Sequence, residues 1–134
     1  MRESVLIKKS MKKLLIILSF LNATIAFSQS NIIGNPYVLG KIKVAEFDCP
    51  KIMSWDEAVI ECSKLGEGWR LPTREELNEM YKNKSKIKNF NFINYWSSVE
   101  TPDKKSAYIL DFGSGNPQAF SKKSTYKIRA VKNN

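Results

Sequence analysis

Two cysteines, Cys49 and Cys62, and not one histidine bound the chemistry open to this 134-residue chain. Without histidine the commonest general base and metal ligand is missing, and no Cys-x-x-Cys spacing is present to depress a thiol pKa. The expectation is therefore a protein that is not an enzyme and that holds no cofactor and no metal. Glu75, Glu76 and Glu79 resemble a paired-carboxylate or calcium set on paper. Adjacent helical positions point in different directions, however, and the start of a helix accounts for Glu75 and Glu76. Trp55, Trp69 and Trp96 could stack on sugar rings, but each lies where a large side chain would anchor packing, so all three are assigned to the core. Arg70 and Arg129 are expected to hold loops through buried or half-buried ion pairs.

The cysteines have two readings. In an oxidising compartment a Cys49–Cys62 disulfide is natural; it would close a short loop and add on the order of 3 kcal/mol in the chain-entropy picture. The alternative is two unpaired thiols, with Cys62 buried on a helix face.

Helix starts are written plainly. Thr73, followed three residues later by Glu76, forms a reciprocal capping box, and Ser54 with Glu57 forms another, with acids in each first turn to complement the helix dipole. From Ser54 a helix carries Trp55, Ala58, Val59, Cys62 and Leu65 as an apolar stripe, and Gly66 and Gly68 stop it. From Thr73 a second helix runs over Arg74 to Lys84 with Leu77, Met80 and Tyr81 facing inward and Pro72 near Leu77 as a staple. Strands are expected over Lys41–Phe47, Tyr95–Ser98, Ala107–Phe112, Gln118–Ser121 and Tyr126–Lys132, with turns at 101–103 and 113–116. Ile87, Phe90, Phe92 and Ile93 read as buried anchors in a connecting loop. The pattern is α+β, two short helices packed on a small antiparallel sheet.

Residues 1–28 have the layout of a secretory signal peptide: Lys8, Lys9, Lys12 and Lys13, an apolar run from Leu14 to Leu21, then small residues at Ala26 and Ser28. Cleavage is expected after Ser28, with Met11 the true start and residues 1–10 an upstream extension. A membrane anchor is the alternative, but Ser19, Asn22 and Thr24 interrupt a run already short of the ~20 apolar residues a spanning helix needs. No stable span is expected once the leader is removed, and the product is placed in the periplasm, at the cell surface or outside the cell. Residues 29–40 read as a lead-in and 41–134 as one domain. The net charge is +9, but five bases and one acid fall in the leader, which leaves +5 for the rest. Lysines gather at 82, 84, 86 and 88, and again at 104, 105, 122, 123, 127 and 132. Such clusters are either a solvated surface or an anion-binding face, and export argues against nucleic acid as the anion.

The stretch SWDEAVIECSKLGEGWRLPTREELNEMY, then YWSS, then AYILDF before a glycine turn, then KIRAVK, resembles the signatures of the bacterial C-type-lectin-like domains typified by the C-terminal domain of the Lcl collagen-like adhesin, and of the related major paralogous surface domains. The resemblance spans about Phe47 to Lys132. It implies a compact C-type-lectin-like fold whose loops carry recognition, without fixing one ligand, since relatives of this architecture include glycan binders, adhesin tips, phage receptors and formylglycine-generating enzymes. Two departures stand out. Many relatives have a cysteine where this chain has Ala130, so Cys62 lacks that partner, and the EPN or QPD and WND motifs of calcium-dependent sugar binding are absent. The family layout would place a ligand face on the loops and outer strands after the helices, at Tyr95, Glu100, Asp103, Asn116, Gln118, Lys122, Lys123 and Tyr126. The functional expectation is an exported, non-enzymatic domain that binds a glycan, in its sharper form an anionic polysaccharide, or a surface protein. A structural or assembly module of the cell envelope is the competing class, and a formylglycine-generating type of enzyme the outsider.

Overall fold

Local capping does what the sequence requires of it in the computed structural model, which describes residues 4, 7–12 and 32–134. Thr73 Oγ1 accepts from the N–H of Glu76 at 3.2 Å while the N–H of Thr73 donates to Glu76 Oε2 at 2.8 Å. At the other start, Glu57 Oε2 accepts from the N–H of Ser54 at 3.1 Å and from its hydroxyl at 3.0 Å. The helices that follow are α1, Trp55–Ser63, and α2, Arg74–Lys82. A four-residue helix, α3, covers Lys84–Ile87.

The chain falls into two units, Met1–Asn31 and Ile32–Asn134. In the first, residues 4 and 7–12 are helical; the remainder of the expected leader, with its cleavage position after Ser28, lies outside the described residues. No helix among the described residues is long and apolar enough to cross a membrane. Among the described residues the strands lie in the second unit: β1 Tyr37–Leu39, β2 Ile42–Val44, β3 Asn94–Glu100, β4 Ser106–Asp111, β5 Pro117–Ser121 and β6 Val131–Asn133. They form two antiparallel three-stranded sheets, ordered β1-β2-β6 and β3-β4-β5.

Alternation along the second sheet builds a core on each of its faces. Trp96, Ala107 and Ile109 pack with α1 residues Trp55, Ala58 and Cys62 on one face. Tyr95, Leu110 and Phe112 pack with α2 residues Leu77 and Met80 on the other. Both clusters lie wholly within residues 32–134, so this unit carries its own core. The GWRLPT turn ties the sheets together. Arg70 exchanges backbone hydrogen bonds with Val131 at 2.9 Å, and the carbonyl of Pro72 accepts from Ser98 at 2.7 Å.

Four expectations need correction. The lead-in over 29–40 contains β1, because Leu39 pairs with Ile42 across a two-residue turn in which Gly40 takes a φ of +57°. Val59 is exposed: two small residues, Ala58 and Cys62, bring α1 close to the sheet and narrow its buried stripe. In the connecting loop Ile87 and Phe90 turn inward, but Phe92 and Ile93 are exposed. The strand expected over 126–132 is broken by a change of partner. Lys127 bonds to Asn94 and Trp96 of β3, the carbonyls of Ile128 and Ala130 accept from Cys49 and Ala45, and of this stretch only the part within β6 forms a ladder with β2.

Candidate functional site

Lysines far apart in sequence meet at one end of the second sheet. The β4–β5 ladder continues past the strands, with the N–H of Lys122 donating to the carbonyl of Lys105 at 3.2 Å, so register alone sets these two residues opposite each other. The carbonyl of Lys122 in turn accepts from the N–H of Trp55 at 3.0 Å and brings the start of α1 alongside. Ser54, Asp56, Lys105, Ser121, Lys122 and Lys123 line the resulting open groove of about 500 Å³.

The charges here are not equivalent. Lys122 is half-buried, its ammonium paired with Glu100 and set 4.4 Å from the Trp55 ring. Trp55 itself is fixed by an indole N–H that donates to the carbonyl of Ser97 at 2.9 Å. Lys105 and Lys123 are exposed and form no ion pair among the described residues. Asp103 orders the neighbouring turn by accepting from the Thr101 hydroxyl at 2.7 Å and the Lys105 N–H at 3.0 Å. Those bonds, the Thr101 hydroxyl first, hold its carboxyl below the usual carboxylate range.

The eight residues expected at a ligand face separate into three groups. Glu100, Asp103, Lys122 and Lys123 gather at this groove and its adjoining turn. Asn116 and Gln118 are exposed toward the opposite end of β5, where Gly115 lies against Tyr81 with no room for a side chain; six residues of extended chain put Asn116 about 20 Å from Lys122. Tyr95 and Tyr126 turn inward to different degrees, Tyr95 completely and Tyr126 only in part. Tyr95 is fully buried and its hydroxyl donates to Asp48 at 2.7 Å, with burial first and then the Asp48 charge pushing its pKa up. Tyr126 packs edge-on against Trp96 and tilted against Phe120. Ser54, Asp56 and Ser121 join the groove without having been singled out, and Lys105 joins it from the lysine cluster that could form an anion-binding face. The signal that could have set Lys105 apart within that cluster was its place across the hairpin from Lys122.

The remaining singled-out residues build the frame. Trp55, Trp69 and Trp96 are buried, and the Trp96 indole N–H donates to the carbonyl of Met53 at 2.9 Å. Arg70 forms a bidentate pair with Glu76, at 2.8 and 2.9 Å, which holds Glu76 below its ordinary pKa. Arg129 is fully buried against Asp48 at 2.7 Å. The expected Cys49–Cys62 bridge is absent: both cysteines are free, and Cys62 sits in the α1 core, where it packs as a small apolar side chain. Burial, with Cys49 and Glu61 contributing less, pushes the Cys62 thiol up to about 12. Among the described residues no group of His, Cys, Asp and Glu is placed to hold a metal ion.

The comparisons with known proteins agree on the architecture. The family model of the Lcl C-terminal domain matches residues 36–132. Among solved structures, EMS16, an antagonist of the collagen receptor integrin α2β1, superposes with a TM-score of 0.55 at 13% identity over 75% of this chain and 98% of that one. Botrocetin gives 0.56 at 11% identity, and botrocetin bound to a von Willebrand factor A1 domain gives 0.56 at 10%, each over 75% and 98% of the two chains. The shared fold is C-type-lectin-like. No curated protein sequence matches the chain.

Proposed function

The chain belongs to the Lcl C-terminal domain family, and from that premise we propose that it is an exported, non-enzymatic binding domain whose ligand is an anionic polysaccharide held at the lysine groove. One observation carries the reading: Lys105 and Lys123, both without ion-pair partners among the described residues, converge on one groove beside Lys122. Repeated sulfate or carboxylate groups match these two unpaired ammonium groups, in a groove that Asp56 also lines, through charge complementarity rather than a deep pocket. The sequence contains no histidine, and the raised Cys62 pKa keeps that thiol protonated, so nucleophilic or formylglycine-type chemistry has little support. Export itself predicts a mature N-terminus at Gln29, which N-terminal sequencing of the released protein would read.

The test is retention of residues 32–134 on immobilised heparin at low ionic strength. Retention should vanish near physiological salt, where the screening length falls to about 8 Å. Lys105→Glu with Lys123→Glu should weaken it about tenfold with the far-ultraviolet circular dichroism unchanged. A wild-type domain that flows through at low salt overturns the polysaccharide reading. A second reading, a protein ligand or an envelope assembly role, draws support from EMS16 and botrocetin, whose names tie them to an integrin and to the von Willebrand factor A1 domain. Crosslinking that captures an envelope protein, with no signal on a glycan array, would favour it.

A further inference from the structure

The segment from Lys82 to Ile93 carries four lysines and two outward apolar side chains that the groove does not use. Phe92 is 74% exposed and Ile93 42%, while Phe90, two residues earlier, packs on Tyr95 and Phe112. The loop is held from within. Arg129 donates to the carbonyls of Lys88 and Asn89, and Asp48 accepts from the Asn91 side chain at 2.9 Å. Phe92 therefore projects from a pinned base rather than from a loose loop.

The charge around this apolar tip is predominantly positive. Lys84 lies 3.9 Å from the Tyr81 ring centroid and 5.8 Å from that of Phe92. Lys86 and Lys88 are exposed and form no ion pair among the described residues. Of the nearby acids, Asp48 is paired with Arg129 inside the fold and Glu79 with Lys82 at the surface, while Asp111 accepts from the Gly113 N–H and the Ser114 hydroxyl and keeps its negative charge.

We propose that Phe92 and Ile93, together with Lys84, Lys86 and Lys88 of the same segment, dock the domain on the anionic headgroup surface of a lipid bilayer. Adjacent aromatic and aliphatic side chains enter the headgroup boundary while the lysines stay at phosphate level on long stems. The choice of base favours lipid over an acidic protein. Every basic residue in the segment is lysine, which protein interfaces deplete, whereas an anionic membrane surface attracts lysine and arginine alike.

The test uses residues 32–134 and extruded vesicles in a sedimentation assay. Binding should appear with vesicles of phosphatidylglycerol and phosphatidylcholine and be absent with phosphatidylcholine alone. Each lysine changed to Gln among Lys84, Lys86 and Lys88 should weaken it about fivefold. Phe92→Ser with Ile93→Ser should weaken it at least about tenfold, while Lys105→Glu with Lys123→Glu leaves the Phe92-dependent part intact. Phe92→Trp provides an independent readout, a blue shift in emission on adding anionic vesicles. No binding to anionic vesicles at low salt, or binding indifferent to Phe92 and Ile93, overturns the proposal; the second outcome, or capture of an acidic protein instead, would make this face a purely electrostatic one.

Discussion

Arg129 and Asp48 decide more of this structure than any other pair. The guanidinium is fully buried, bonded to the Asp48 carboxylate and to the carbonyls of Ala45, Glu46, Lys88 and Asn89, and stacked 4.1 Å from the Phe90 ring. It thereby joins the end of β2, the loop after α3 and the C-terminal segment. Removing one member of such a pair strands the other charge. Arg129→Met should cost about 3–5 kcal/mol in urea unfolding, with part recovered in the Asp48→Asn, Arg129→Met double variant; a cost under about 1 kcal/mol would show that the pair is dispensable. Glu76 offers a pH test. Arg70 holds its folded pKa below the unfolded value of about 4.3. Its stabilisation is thus complete above that unfolded value and is lost as pH falls through the lower folded one. With solvent screening this half-exposed pair, Glu76→Gln should destabilise by about 1 kcal/mol at neutral pH, and the gap to the parent should narrow as acid is added. A gap that persists unchanged into acid would mean that packing or capping geometry, and not ionisation, sets it.

At the scale of elements, caps and strands differ in how openly the sequence states them. A capping box is complete within four residues, so Thr73 and Glu76 predict α2 with no knowledge of the rest of the chain. Thr73→Ala should remove about 1 kcal/mol of stability, measured by thermal or urea unfolding. The strands β1 and β6 have three residues each, too few for a period of two to register, and their pairing with β2 is a property of the assembled sheet. The helix after α2 has its own cost. Lys88, at φ +67° and ψ 175°, occupies a region that only glycine enters freely, held there by the Arg129 bond to its carbonyl. Lys88→Gly should therefore stabilise the fold by about 1 kcal/mol; loss of stability instead would place the lysine side chain among the contacts that hold the loop.

For the whole molecule, the fold was legible because its signatures are local and ordered: two capped helices, a tryptophan-bearing turn between them and hairpins after them. The candidate groove was legible only in part. Glu100, at the end of β3, and Asp103, Lys122 and Lys123, on turns, are polar residues that composition reveals. Tyr95 carries the same chemistry on paper, but β3 alternation sends it into the core and Asp48 takes its hydroxyl. The free cysteines follow the same logic, since Cys62 satisfies the α1 packing stripe as a thiol. What no single segment discloses is that Lys105 and Lys123 arrive at the start of α1, because that depends on hairpin register and on one bond from Trp55 to Lys122. The location of that groove is the central claim, and heparin titrated into nitrogen-15-labelled residues 32–134 tests it residue by residue. Amide shifts should concentrate at Ser54–Asp56, Lys105 and Ser121–Lys123; shifts confined to Lys84–Phe92 or to Asn116–Gln118, with that groove silent, would contradict it.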